Sequence, residues 1–264
     1  MRPERHPLRL LPAFCAALLL ALAGCGSNPE RELQSNPERI YEMANRSLQN
    51  SNYGNAIRLY EQLEARFPFS ASAKQAQIDL MYAYYKNREP EAAIDQADQF
   101  IRENPTHPRV DYAHYIKGLV YFERNPNFLE RLFNTDLSER PPIDARRSFQ
   151  SFSTLVQQYP NSEYAADARQ RMIFLRNRLA DYEVHVANYY YKRGAYVGAI
   201  NRAKYAIVNY DGAPAVREAL GIIEKSYTAL DMPQLAADTR AVLEANYSAD
   251  EVKEATAESW WKFW

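Results

Sequence analysis

Residues 90–105 read Pro90-Glu91-Ala92-Ala93-Ile94-Asp95-Gln96-Ala97-Asp98-Gln99-Phe100-Ile101-Arg102-Glu103-Asn104-Pro105. Ala93 is followed four residues on by Ala97, three further by Phe100 and five further by Pro105. Steps of four and three put three side chains on one face of a helix. The small residue at the head of that face lets a neighbouring helix approach, and the proline closes the helix. The same spacing recurs as Ala56, Tyr60, Leu63, Pro68, and as Ser148, Phe152, Leu155, Pro160. It returns as Ala199, Ala203, Ala206, Asp211 and as Ala236, Arg240, Leu243, Ser248. Upstream of each copy lies a second amphipathic stretch, at 38–49, 74–86, 109–123, 182–192 and 216–230. Each copy therefore reads as helix–turn–helix, and the closing positions advance by 37, 55, 51 and 37 residues. Tetratricopeptide repeats carry this small–aromatic–aliphatic–proline pattern in the second helix of a unit of about 34 residues. The expected fold is all-α: a tetratricopeptide-repeat superhelix of five helix–turn–helix repeats over residues 37–248.

Composition agrees with that reading. The 264 residues are 47% hydrophobic and 25% charged, too apolar and too balanced for extended disorder. Only 8 glycines are present, which argues against turn-rich β-meanders and glycine-rich phosphate loops. With 32 basic against 33 acidic residues the formal charge is −1, which offers no basic field for nucleic acid.

The N-terminus is a targeting segment. Arg2, Arg5 and Arg9 precede an uncharged apolar run over 10–23. That run is shorter than the roughly 20 residues a bilayer-spanning helix needs, and a short apolar run behind a basic head reads as a secretory signal. It ends in Leu22-Ala23-Gly24-Cys25, which matches the bacterial lipobox at all four positions. Residues 1–24 are therefore expected to be cleaved, leaving Cys25 to carry an S-diacylglyceryl and an N-palmitoyl group. Cys15 departs with the signal, so the mature chain has no pair of cysteines for a disulfide. Several buried acyl chains anchor stably where one is marginal. By resemblance to lipoprotein sorting, Gly26 after the cysteine directs the chain to the outer membrane, facing the periplasm. Residues 25–36 read as a lipidated tether.

The repeats divide into N-terminal copies one to three, residues 37–161, and a C-terminal part, residues 162–248, that begins with a long bridging helix. Copy three carries an insertion at 125–142 whose Phe128, Leu129, Leu132 and Phe133 would pack back on the repeats or dock a partner. Residues 249–264 form an acidic tail ending Trp260-Trp261-Lys262-Phe263-Trp264, either a docking peptide or a frayed end.

A search for chemistry finds a binding protein rather than an enzyme. His107, His114 and His185 have no partner at metal-ligand spacing, and no nucleophile elbow or P-loop is present. No cofactor is expected beyond the covalent lipid. In such arrays the first helix of each repeat lines the concave surface. On those faces lie Tyr41 in copy one, Ile78, Tyr82 and Tyr85 in copy two, and Tyr112, Tyr115 and Leu119 in copy three. Tyrosine offers a large rigid ring and one hydroxyl, which suits an extended peptide with aromatic anchors. The competing reading is that these tyrosines pack between helices. In the C-terminal half, Arg193, Arg202 and Arg217 are candidates for partner binding, since arginine makes forked contacts to carboxylates. Arg202 precedes Ala203 by one residue, and about 100° of helix rotation turns it off the packing face.

Several strings are more specific than a generic repeat: the lipobox at Cys25, Arg66-Phe67-Pro68-Phe69, the run 80–86, Asn104-Pro105-Thr106-His107-Pro108, Tyr159-Pro160-Asn161-Ser162, Arg193-Gly194-Ala195-Tyr196 and Asn201-Arg202. Over nearly the whole mature chain the sequence resembles the BamD family, the lipoprotein subunit of the bacterial outer-membrane β-barrel assembly machine; the tryptophan-rich tail departs from that pattern. The resemblance implies a non-enzymatic scaffold on the periplasmic face of the outer membrane. It implies that the C-terminal repeats hold the POTRA region of a BamA-like barrel subunit. It further implies BamC- and BamE-like lipoprotein partners, and unfolded β-barrel precursors received at the N-terminal repeats. A second binding reading is a periplasmic adaptor lipoprotein that organises peptidoglycan enzymes or proteases.

Overall fold

The computed structural model describes residues 36–123 and 142–257, and every regular element among them is helical. The signal over 1–24, Cys25 and its tether up to residue 35, the insertion of 125–142 up to residue 141, and the aromatic end over 258–264 lie outside the described residues. The helices are α1 (Pro37–Gln49), α2 (Tyr53–Arg66), α3 (Ala71–Lys86), α4 (Pro90–Glu103), α5 (Val110–Glu123) and α6 (Ile143–Gln158). They continue as α7 (Ala165–Lys192), α8 (Tyr196–Asn209), α9 (Val216–Ala229), α10 (Pro233–Asn246) and α11 (Ala249–Thr256). The chain falls into two compact units that divide within α3, between Ala83 and Tyr84.

In the first unit, Asn36 caps α1 by accepting from the N–H groups of Glu38 and Arg39 at 2.9 and 3.2 Å, and Pro37 takes the first helical position. Asn52 caps α2 through the N–H of Asn55. α1 packs on α2, and Ile40, Ala44, Ala56, Tyr60 and Leu63 are buried. In the second unit each helix from α4 to α10 packs on the next, and α11 lies mainly against α9. The 28 residues of α7 contain no proline or glycine and form one unbroken helix.

The repeated spacing has a direct structural meaning. Its small residues Ala56, Ala93, Ser148 and Ala199 are fully enclosed, and Ala236 is buried. The third position of each copy does two things: Leu63, Phe100, Leu155, Ala206 and Leu243 are buried, and each carbonyl accepts the N–H of the residue that ends the helix. Those capping residues, Phe67, Asn104, Tyr159, Tyr210 and Tyr247, share φ near −130°. One orphan carbonyl of each helix end is thus satisfied in the same way at every copy.

At copy three the Ser148 hydroxyl donates to the Gly118 carbonyl at 2.8 Å. One turn on, Phe152 fills the space a side chain at 118 would need: a Cβ there would lie 2.4 Å from the ring. At the last copy the pattern departs from three enclosed side chains. Arg240, in the place of Tyr60 or Phe152, is exposed and bonds Glu244 and Glu224. The physical reason is that α11 covers α9 and leaves the outer face of α10 to water. Gly221 on α9 admits that cover, since a Cβ there would meet the Ala255 carbonyl oxygen at 2.2 Å.

Candidate functional site

Two groups of side chains stand out, one aromatic and one cationic. In the first unit the Tyr41 hydroxyl donates to Asp79 Oδ2 at 2.7 Å, and Gln75 donates to the other oxygen at 3.3 Å. Burial, and then the Asp79 charge, hold the Tyr41 phenol well above its usual range. Tyr60 lies 5.9 Å away, ring to ring, and its enclosed hydroxyl has no hydrogen-bond partner among the described residues. Tyr82 is half-buried on α3.

In the second unit α5 and α7 build an aromatic wall. The Tyr85 hydroxyl donates to Glu123, and the Tyr115 hydroxyl donates to Asp167 Oδ2 at 2.8 Å. Tyr115 stacks on Tyr164 with centroids 4.6 Å apart, and Tyr112 lies 5.3 Å from the same ring. Two arginines interleave with these rings. Arg109 sits over Tyr112 and donates to Glu163 at 2.9 Å; Arg171 sits over Phe122 and donates to Asp167 at 2.6 Å. Burial pushes the Tyr115 phenol up to about 12, helped by its bond to Asp167. Burial works against charge on Asp167, but the bonds from Arg171 and Tyr115 outweigh it and hold the carboxyl below its usual range.

Tyr41, Tyr82, Tyr85, Tyr112 and Tyr115 all sit half-buried on first helices, as the spacing predicts. Their hydroxyls are already engaged: those of Tyr41, Tyr85 and Tyr115 each donate to a carboxylate. Ile78 and Leu119, placed on the same faces by their spacing, are buried in the core. The carboxylate partners escaped the sequence reading, although a signal was there. Tyr41–Asp79 and Tyr85–Glu123 are each separated by 38 residues and Tyr115–Asp167 by 52, close to the advance from one copy to the next.

The three candidate arginines have different surroundings. Arg193 caps the end of α7, is exposed, and lies over the Tyr189 ring at 5.3 Å. Arg217 bonds Glu251 and Glu254 at 3.4 and 3.0 Å and so ties α11 to α9. Arg202 is turned off the packing face, but its guanidinium is engaged: Nη1 bonds Glu183 Oε2 at 2.9 Å, and Glu183 is 1% exposed. That pairing gives Arg202 a part in the fold alongside its exposed position.

A family model described as YfiO, outer membrane lipoprotein, matches residues 33–243. The outer membrane protein assembly factor BamD of Neisseria gonorrhoeae is 43% identical over 258 residues, covering 94% of this chain and 97% of that protein. BamD of Vibrio cholerae is 37% identical over 231 residues, covering 86% and 96%. Among solved structures, the MamA protein aligns at TM-score 0.39 and 15% identity over 84% of this chain and 95% of that one. A tetratricopeptide repeat protein from Parabacteroides merdae aligns at TM-score 0.41 and 15% identity over 91% and 89%. From a match that runs through every helix pair, and relatives alike over almost their full length, it follows that the chain belongs to the YfiO family of outer-membrane lipoproteins.

Proposed function

We propose that the chain is a scaffold of outer-membrane protein assembly, binding unfolded β-barrel precursors and a BamA-like barrel subunit so that the precursors are folded and inserted. The observation that carries this reading is the near full-length match to proteins named outer membrane protein assembly factor. The lipid on Cys25 holds the repeats at the inner face of the outer membrane. The half-buried rings of Tyr41 and Tyr82 in the first unit, and separately those of Tyr85, Tyr112 and Tyr115 in the second, receive precursor segments rich in aromatic side chains, by ring contact rather than by hydroxyl bonding. The exposed cationic side chains of α7 to α9, Arg193 and Arg202 foremost, meet the POTRA region of the barrel subunit. BamC- and BamE-like lipoproteins complete the assembly.

The test is recovery from bacterial membranes with the lipidated chain as bait. The barrel subunit and its lipoproteins are expected to co-purify. Recovery of peptidoglycan enzymes or proteases with no barrel subunit would overturn the reading in favour of an adaptor.

A further inference from the structure

The described array closes on a first helix that is cut short. α11 packs on α9 as α9 packs on α7, yet it has 8 residues where α5 and α9 each have 14. It runs in the same direction as α9. Arg217 bonds Glu251 and Glu254, a Cβ at Gly221 would meet Ala255, and Lys225 Nζ donates to the Ala257 carbonyl at 3.4 Å. Against α10, Val252 packs with Leu243, and Thr256 lines one cavity with Arg240. At Ala257 the backbone turns extended, with ψ 142°, and the helix stops. The next turns of α10 along that line bring up Ala237 and Pro233, and both are exposed.

The residue types at this place differ from those of the other copies. One residue after the small residue of the pattern, about 100° round the helix, stand Ile57, Ile94 and Ile200, all buried. α4 and α8, which carry Ile94 and Ile200, are each packed by a first helix of 14 residues, α5 and α9. The last copy has Ala237 at that position, and it is exposed. Ala236 beside it keeps 8% of its surface, where Ala56, Ala93 and Ala199 keep none. An alanine in place of isoleucine leaves room for a large ring from elsewhere. Met232, 44% exposed, stands at the far rim. The terminal repeat of a solenoid needs a cap, and α11 is too short to complete it.

Residues 258–264 follow directly, and four of them are aromatic: Trp260, Trp261, Phe263 and Trp264. Seven extended residues span about 23 Å, whereas Arg240 and Pro233 are two helical turns apart, about 11 Å. The open face is therefore well within reach. The charges suit the same path. Glu258 follows the carbonyl that Lys225 holds, and Lys262 can meet the exposed Asp231 at the turn between α9 and α10. We propose that residues 258–264 fold back along α10 and complete the cap, with an indole ring seated over Ala237 and Pro233 beside Met232. The end of the array is then closed by the chain itself.

All three tryptophans of the sequence lie in this segment, so tryptophan emission reports on it alone. The experiment reads emission and acrylamide quenching of the mature chain, residues 25–264, produced without its signal so that neither lipid nor detergent is present. The free peptide 258–264 is measured beside it. Emission at shorter wavelength and weaker quenching are expected in the chain than in the peptide, unchanged on dilution. Ala237→Glu is expected to return both to the peptide values with helical content intact. If it loses helical content, Ala237→Gln takes its place in the comparison. Val242→Glu, about 140° round α10 and 48% exposed in the parent, is expected to change neither. Peptide-like emission from the unaltered chain overturns the proposal. So does shielding that the variant at 237 leaves intact, or that Val242→Glu removes as well. Shielding lost on dilution assigns the segment to a second copy of the chain. Shielding that arises only on adding phosphatidylethanolamine–phosphatidylglycerol vesicles assigns it to the membrane surface, and either result overturns the cap.

Discussion

The hydroxyl of Tyr115 on α5 donates to the carboxylate of Asp167 on α7 across 52 residues of chain, and Arg171 grips the same oxygen from one turn further along. Tyr41–Asp79 and Tyr85–Glu123 repeat the pairing between other first helices. A tyrosine on one first helix and an acid on the next thus form a latch. The latch fixes the rings in place while spending the hydroxyls.

That latch sets a pH dependence. The Asp167 carboxyl is held below its usual range, so its contribution to stability is present above about pH 4 and is lost as the pH falls through the lower folded value. The Tyr115 phenol is raised from 10.0 to about 12, so its contribution is full below pH 10 and is lost as the pH rises from there. Tyr115→Phe should cost about 1 kcal/mol at pH 7. Urea melts at pH 7 and pH 11 check this: the gap between parent and variant narrows at the higher pH. A gap that stays constant would mean that the hydroxyl is not engaged.

Close helix approach gives the second prediction. Gly118→Ala drives a Cβ into the Phe152 ring in an enclosed interface and should destabilise by about 1–3 kcal/mol. Gly54, in the first turn of α2, has nothing within 4 Å of its Cβ position, so Gly54→Ala should be neutral or stabilise by up to about 1 kcal/mol. Thermal melts of the two variants should shift in opposite directions or differ clearly; equal shifts would contradict the packing described.

Charge reversal separates the candidate arginines. Arg202→Glu sets a second carboxylate against buried Glu183 and should lower stability by on the order of 3 kcal/mol, so lost partner binding in that variant would report on the fold as well. Arg193→Glu gives up the contact with the Tyr189 ring and sets an acid at the C-terminal end of α7, so it should cost no more than about 1 kcal/mol while weakening recovery of the barrel subunit. Parallel melting and co-purification of the two variants test this. An unchanged melt in Arg202→Glu would show that the Glu183 pairing contributes little.

The anchor is tested by Cys25→Ser. With no thiol to take the diacylglyceryl group, the variant should incorporate no labelled palmitate and should leave the membrane fraction or retain its signal. Equal labelling of variant and parent would remove Cys25 as the lipid site.

The helix pairs and their register were legible in the residues themselves. Spacings of four, three and five residues are local quantities, and the small residue, the buried third position and the stop that follows recur together because each belongs to one helix and its end. The basic and apolar run before Cys25 is likewise read from adjacent residues, and the Cys25→Ser variant tests its meaning. What surrounds each of these candidate and packing residues was settled only in three dimensions. Tyr115 meets Asp167, Arg202 meets Glu183 and Gly118 meets Phe152 through packing between helices far apart in the chain. A helical period says which face a side chain is on, and so it placed Arg202 off the packing face. Whether that face meets water, a buried acid or a neighbouring ring depends on the helix beside it, and an unaligned sequence carries no local signal of that neighbour.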